Sequence, residues 1–201
     1  MTTASPEPTR HRRRGPQLET ALLDAAWDEL VEAGYKALTM ESVAARAHTG
    51  IAVLYRRWAN KDQLVLAAFV HYRQGRPVET PDTGTLRGDL LALLTAASKA
   101  RATFTAVAAA AAFSGLLADT GMTPGQVRDE LLGEQPTWRA QVIYRRAHDR
   151  GEINLDRIPP AVLAMPFDLM RHDLLMDLEP LKPARVKSIV DQLFLPLVQS
   201  H

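Results

Sequence analysis

The sequence predicts an all-α chain in which an N-terminal three-helix unit, carrying a helix-turn-helix, is joined to a larger helical unit. Three observations predict this. Apolar residues recur at helical spacing through most of the chain. No stretch alternates apolar and polar residues as a half-buried strand would. Between Thr39 and Trp58, two short amphipathic stretches flank the tight turn His48-Thr49-Gly50, which is the size and punctuation of a helix-turn-helix.

The elements follow in order. Residues 1–15 hold the run Arg10-His11-Arg12-Arg13-Arg14 and no hydrophobic period, so they read as a disordered basic arm or a solvated tail. From Leu18 to Ala33, Leu18, Leu22, Ala26 and Leu30 share one face, and Gly34 supplies the stop. Thr39 is suited to cap a helix from Met40 to Ala47, with Val43, Ala44 and Ala47 inward. A second short helix runs from Ile51 to Trp58 with Leu54 and Trp58 inward, and Asn60 caps a fourth, from Lys61 to about Gly75. The proline-containing stretch from Arg76 to Gly84 reads as a linker. Longer helices are expected at Thr85–Arg101, Thr103–Asp119, Thr123–Arg150, Pro160–Asp177 and Pro183–Gln199, with kinks at Pro136 and Pro166. The division is therefore an arm at 1–15, the helix-turn-helix domain at 16–76 and a larger helical domain at 77–201.

Composition narrows the function. At 46% apolar residues the chain can bury a core. It has no cysteine, which excludes disulfides, thiolate zinc fingers and a cysteine nucleophile. No apolar run approaches the roughly 20 residues of a membrane helix, the longest being Ala106–Phe113, and no signal-peptide core follows the N-terminal charges. A cytoplasmic protein without membrane contact is the expectation. The net charge of +1 conceals an asymmetry, with 11 Lys/Arg against 8 Asp/Glu in residues 1–76, the part that carries the helix-turn-helix. Nucleophile elbows, phosphate-binding glycine loops, dinucleotide fingerprints and paired Glu-x-x-His motifs are absent, so an enzyme is not expected. Asp168 with His172, and His148 with Asp149, are too few ligands for a metal, and no cofactor is expected.

Several strings occur in order at fixed spacings: Leu22-Leu23-Asp24-Ala25-Ala26, Ala33-Gly34-Tyr35, Leu38-Thr39-Met40-Glu41-Ser42-Val43-Ala44, Leu54-Tyr55-Arg56-Arg57-Trp58 and Asn60-Lys61-Asp62-Gln63-Leu64. Over about residues 17–72 the chain thereby resembles the DNA-binding domain of the TetR (tetracycline repressor) family. The resemblance implies that Thr39, Tyr55 and Lys61 bind phosphates of double-stranded DNA, and that Thr49, Gly50, Ile51, Ala52, Val53 and Arg57 face the major groove. Physical sense supports that division, because phosphate contacts position a protein while the start of a recognition helix reaches base edges. The chain also departs from the family pattern. His48 stands where the turn commonly has glycine, and Gly50, Ile51 and Val53 replace polar residues. Ile51, Ala52 and Val53 offer bases no hydrogen bonds but suit thymine methyl groups, the alternative for Ile51 and Val53 being packing. Specificity then leans on Thr49, Arg56, Arg57 and DNA shape.

The C-terminal part resembles the family in layout and in the string from Arg145 to Ile153. Val186, Ile189, Val190, Leu193, Phe194 and Leu197 follow one helical stripe, and Leu163, Phe167, Met170 and Leu174 mark the helix before it. Such helices either complete their own core or pair with copies of themselves as a four-helix bundle; the resemblance implies the bundle and a homodimer. It also implies a cavity for a small-molecule inducer among Phe104, Phe113, Met122, Trp138, Tyr144, Met165 and Met170, for each of which core packing is the alternative. The function implied is a repressor released from a palindromic operator by a small, largely apolar ligand. The rivals are a ligand-independent DNA-binding activator or nucleoid factor and, further off, a helical-bundle enzyme.

Overall fold

A computed structural model describes residues 15–123, 125–127 and 135–199. The basic arm, and the middle of the helix expected from Thr123 to Arg150, lie outside the described residues. Among the described residues all regular structure is helical.

Four helices build the N-terminal unit: α1 (Pro16–Ala37), α2 (Met40–Arg46), α3 (Ile51–Tyr55) and α4 (Lys61–Gln74). Pro16 opens α1, where a missing N–H costs nothing. Near its end Gly34 leaves helical geometry at φ 78°, the left-handed region that glycine enters freely, and its carbonyl accepts the Leu38 N–H. Gly34 therefore interrupts the helix as the sequence implies, although one further turn follows it.

The larger unit departs from expectation at its first helix. The two helices expected either side of Ala102 are one, α5 (Leu86–Ala111), because nothing from Arg101 to Thr103 breaks a helix. It continues through a wider π-type stretch, Ala112–Leu116, where Gly115 turns to φ 119°, into α6 (Leu117–Thr120). By length and composition the helix from Leu86 to Thr120 would suffice to cross a membrane; here it is the shared spine of two cores. Next come α7 (Gln135–Asp149), with Pro136 in its first described turn, and α8 (Pro160–Asp177). The last helix is α9 (Pro183–Lys187), a π-type stretch Ser188–Phe194 and α10 (Leu195–Gln199). Pro166 is carried inside α8 as a single helix. The widened stretch directly before Pro196 gives room for a ring that would otherwise press on the carbonyl four residues back.

Two hydrophobic cores result. The first joins α1–α4 to the second half of α5, with Leu22, Leu54, Leu64 and Phe69 fully buried alongside Phe104 and Leu116. The second joins the first half of α5 to α7, α8 and the last helix, around Leu90, Leu94, Ile143, Ile189 and Phe194. The stretch expected as a linker is anchored as well. Val78 enters the second core, the Pro81 carbonyl accepts from Arg146 at 3.1 Å, and buried Asp89 accepts from the Thr83 N–H and hydroxyl at 2.6 and 2.8 Å.

Candidate nucleic-acid interface

The bracing of α3 begins with α2. The Ser42 N–H donates to Thr39 Oγ1 at 3.0 Å and the Thr39 N–H donates to Ser42 Oγ at 3.1 Å, a reciprocal cap that fixes where α2 starts. The turn that follows puts His48 at φ 54°, the left-handed region, at the position that would suit glycine. The Thr49 N–H then donates to the Ala44 carbonyl at 3.0 Å and closes the turn.

Helix α3 is shorter than expected. It ends at Tyr55, and the N–H groups of Arg57 and Trp58 both donate to the Leu54 carbonyl. Leu54 and Trp58 are buried, as their spacing implies. Ala52, Tyr55, Arg56 and Arg57 are exposed, and Tyr55 keeps 52% of its surface open. Gly50 is exposed with open space where a Cβ would stand, so backbone can approach a ligand there. Thr39 is exposed and Thr49 half-buried. Ile51 and Val53 are half-buried against the first core, so packing takes part of each side chain. Arg57 lies along its own helix, its Nη1 donating to the Val53 carbonyl at 3.2 Å and its Nε 4.0 Å from Glu19.

Lys61 occupies the first turn of α4, beside the Asn60 cap that accepts from the Gln63 N–H at 2.9 Å. Its ammonium sits 4.2 Å from the centre of the Tyr35 ring and 3.4 Å from the Tyr35 carbonyl. Lys61 thus stands in the first turn of α4, where helix N–H groups favour an anion. Thr39, Gly50, Ala52, Tyr55, Arg56 and Arg57 are exposed.

A contact that sequence reasoning missed lies just behind. The Tyr35 hydroxyl is 2.7 Å from Asp62 Oδ1 and 2.7 Å from Asp119 Oδ2. A phenol has one proton to donate, so the two carboxylates share it. Burial, and then both carboxylates, hold that proton far above the ordinary phenol range. Tyr35 and Asp62 both stand in the strings quoted above. Asp119 has no such signal, because it is 84 residues from Tyr35 in sequence.

The residues expected around an inducer cavity do not converge. Phe104 belongs to the first core, its ring edge-on to Phe69 at 5.6 Å, and Met122 packs against the same core. Tyr144, Met165 and Met170 belong to the second, where the Tyr144 hydroxyl donates to the Leu163 carbonyl at 2.7 Å. Phe113 is 91% exposed and Trp138 about half exposed. The resemblance had grouped them by their place between the linker and the last helices, whereas α5 distributes its two halves between two cores.

The stripe expected to form the dimer also divides. Phe167, Leu174, Val186, Ile189, Val190 and Phe194 are buried in the chain's own second core, and Leu163 packs against it. Leu193 and Leu197 stay exposed, as do Leu175, Met176 and Leu178 on and just after α8. Most of the stripe is thus covered by the chain itself, with these side chains left outside. His172 contacts Asp173, His148 contacts the Ile153 carbonyl, and no metal-binding group of three side chains occurs among the described residues.

Known proteins match this architecture. Residues 22–68 match the family of bacterial regulatory proteins, tetR family, and residues 80–193 match the tetracyclin repressor-like C-terminal domain. The DNA-binding transcriptional repressor TetR of Mycobacteroides abscessus is 42% identical over 81 residues, 40% of this chain and 43% of that protein. The chain thus spans about two fifths of the length of that curated relative. An uncharacterized HTH-type transcriptional regulator of Mycobacterium tuberculosis is 48% identical over 75 residues, 37% of each chain. The solved structure of a TetR transcriptional regulator from Agrobacterium tumefaciens superposes with a TM-score of 0.64 over 92% of this chain and 95% of its own, at 24% identity.

Proposed function

The chain belongs to the tetracycline repressor family of transcriptional regulators, and from that premise we propose that it acts in the cytoplasm as a homodimeric repressor. It binds a palindromic operator and is released when a small molecule occupies its C-terminal helices. The surface from Gly50 to Arg57 lies in the major groove, with Ala52 against thymine methyl groups, while Lys61, Thr39 and Tyr55 hold phosphates. Two copies meet over the exposed edge that includes Leu193 and Leu197, so protein symmetry is mirrored in an inverted repeat.

The observation that supports release is the Tyr35 bridge. Asp119 stands in α6, at the end of the spine, and Asp62 directly follows Lys61. A shift of α6 changes which carboxylate receives the phenol proton, and with it the packing around Lys61. A ligand acts this way only by favouring the non-binding arrangement, and a coupling of about 1 to 3 kcal/mol would change DNA affinity roughly 5- to 150-fold.

The test starts from DNA selected out of a random pool by the purified protein, where an inverted repeat is expected. On that DNA, Tyr35→Phe and Asp119→Asn are each expected to change affinity, and the second change is expected to vanish in the Tyr35→Phe background. Additive effects in the double variant would remove the bridge from the mechanism. Selected sequences without a repeat would remove the dimeric operator complex.

A further inference from the structure

The string from Arg145 to Ile153 lies outside the surface assigned to DNA, yet the structure gives it definite contacts. Helix α7 ends at Asp149, and Gly151 turns to φ 75°, the left-handed region that favours glycine. The Gly151 N–H donates to the His148 carbonyl and the Glu152 N–H to the Ala147 carbonyl, both at 2.9 Å, so the turn is closed. Ile153 is buried in the second core and pins it. The two charged side chains of the turn, Arg150 and Glu152, are paired at 2.6 Å.

Both side chains reach the segment that joins α4 to α5. Glu152 Oε2 accepts the Leu86 N–H at 2.8 Å, in the first turn of α5, where a carboxylate is favoured. Arg150 Nη2 stands 3.8 Å from Asp89 Oδ2, a buried oxygen with no hydrogen bond among the described residues. Asp89 is fully buried, and its other oxygen accepts from the Thr83 N–H at 2.6 Å and from the Thr83 hydroxyl at 2.8 Å. A buried carboxylate is unfavourable unless it is hydrogen-bonded and paired, so Asp89 holds both Thr83 and Arg150 to itself. One turn back in α7, Arg146 donates to the Pro81 carbonyl at 3.1 Å and lies 3.5 Å from Asp82. Gly88 permits the approach, since a Cβ there would overlap Thr83 Oγ1. At its other end the segment is tied to the first unit. The Arg76 guanidinium lies 3.6 Å from the centre of the Tyr72 ring, which stacks on Trp27. Residues 77–83 form neither helix nor turn and include Pro77 and Pro81, so little slack separates the two anchors.

We propose that the turn Arg150-Gly151-Glu152, acting through Asp89, is a latch on the joining segment that sets where the end of α4 lies. Thr83, Asp89, Arg150 and Glu152 are then positioning residues for DNA binding, although none belongs to the DNA surface. Helix α4 carries Lys61 at its start, so its pose governs the phosphate contact and the separation of the recognition helices in a dimer. With the latch open α4 takes more than one pose, and apparent affinity falls by the fraction of molecules in the binding pose. The inference rests on the reading of the chain as a dimeric DNA-binding regulator and is independent of release by a ligand.

Amide hydrogen exchange and DNA binding by the full chain test this, well below the melting temperature. Thr83→Ala removes the hydroxyl, Gly88→Ala displaces it, and Glu152→Gln keeps an acceptor for the Leu86 N–H while weakening the hold on Arg150. In each, protection is expected to fall at the Thr83 amide and also at Gly75 and Arg76, whose N–H groups close α4 on the His71 and Arg73 carbonyls. Affinity for DNA selected from a random pool is expected to fall about fivefold or more. Affinity for random DNA and the salt slope are expected to hold, because a pose and not a phosphate contact is lost. Thr83→Ser keeps the hydroxyl and is expected to match the parent, and Gly88→Ala is expected to add little in the Thr83→Ala background. Circular dichroism confirms folding; if Gly88→Ala or Glu152→Gln does not fold, the comparison of Thr83→Ala with Thr83→Ser at that exposed position carries the test. Exchange that rises at Thr83 but not at Gly75 and Arg76, or unchanged selectivity in the folded variants, would overturn the proposal. A lower melting temperature with selectivity intact would assign these contacts to stability alone. The two readings fail separately. A parent protein that selects no DNA sinks the reading as a regulator, and the spread of exchange from Thr83 to α4 then decides the latch by itself.

Discussion

The two cores are held together by different means. In the first, rings interlock: Trp27 stacks on Tyr72 with centroids 3.4 Å apart and meets Phe69 edge-on at 5.9 Å, and Phe69 meets Phe104 at 5.6 Å. Two of its helices start at side-chain caps, Thr39 for α2 and Asn60 for α4. The second core is mostly aliphatic, with one aromatic pair, Tyr144 and Phe194 at 5.7 Å, and its last helix widens into a π-type stretch. Interlocked rings hold one another in specific relative geometries and add to the stability that burial alone gives. Aliphatic side chains pack by volume rather than by ring geometry, so the second core tolerates volume-conserving exchange better than the first. Helix α5 is common to both, so the two kinds of packing meet on one element.

The sharpest way to break that comparison is to empty each core in turn. Phe69 and Phe194 are both fully buried, and Phe→Ala at such sites costs about 3 to 5 kcal/mol. Because Phe104 on α5 closes the first core while Leu90 and Leu94 on the same helix fill the second, Phe69→Ala and Phe194→Ala are each expected to lower one cooperative melting transition. Scanning calorimetry checks this. Two transitions, of which each variant moves only one, would mean that α5 does not couple the cores.

The same contrast explains what could be read from the chain. The first unit was legible nearly residue by residue, since caps, turn and inward positions all lie within short strings. The Thr39 cap, the Gly34 interruption and the burial of Leu54 and Trp58 are local facts. Helix bounds at Pro160–Asp177 were legible too, because prolines and a strong period mark them. The split of α5 between two cores was not, since helical period gives the face a residue occupies and not which neighbour covers it. Phe104 and Tyr144 look alike in sequence and end in different cores. The burial of Val186, Ile189, Val190 and Phe194 within one chain, with only Leu193 and Leu197 left outside, likewise depends on where α5 and α8 sit. The Tyr35–Asp119 contact is a long-range meeting of ordinary polar residues, which local patterns do not encode.

Acid sharpens the contrast by acting on the clamps of the second core. Arg87 holds Asp191 at 2.8 Å, tying α5 to the last helix, and Arg185 holds Asp173 at 2.6 Å, tying that helix to α8. Hydrogen bonds from the arginines place both aspartates below the usual carboxylate range. A folded-state pKa below the unfolded one stabilises above the unfolded pKa, and that stability is lost as pH falls through the folded value. Stability is therefore expected to decline as pH drops below about 4, and Asp191→Asn is expected to reduce that decline while lowering stability modestly at neutral pH. Denaturant midpoints for both proteins across the acid range measure this. Identical acid profiles would mean that the Arg87–Asp191 pair contributes nothing to holding the second core.

The smallest effect concerns the turn that sets α3 against α2. His48 adopts φ 54° with its side chain exposed. A residue with a Cβ gives up about 1 kcal/mol or somewhat more in that conformation, toward the low end for histidine, which tolerates it better than most. Glycine removes the strain but loses roughly 0.5 to 1 kcal/mol in the added freedom of the unfolded chain. The two effects oppose each other and are of similar size, so His48→Gly is expected to stabilise by only a few tenths of a kcal/mol. Thermal melting reads the sign, and a lower melting temperature would show that the imidazole contributes packing that outweighs the strain of its backbone. Binding to the selected DNA reads something separate. If His48 serves only to make the turn, His48→Gly leaves affinity and its salt dependence unchanged. If the imidazole reaches a phosphate, affinity falls alike on selected and random DNA, because a phosphate contact carries no sequence information.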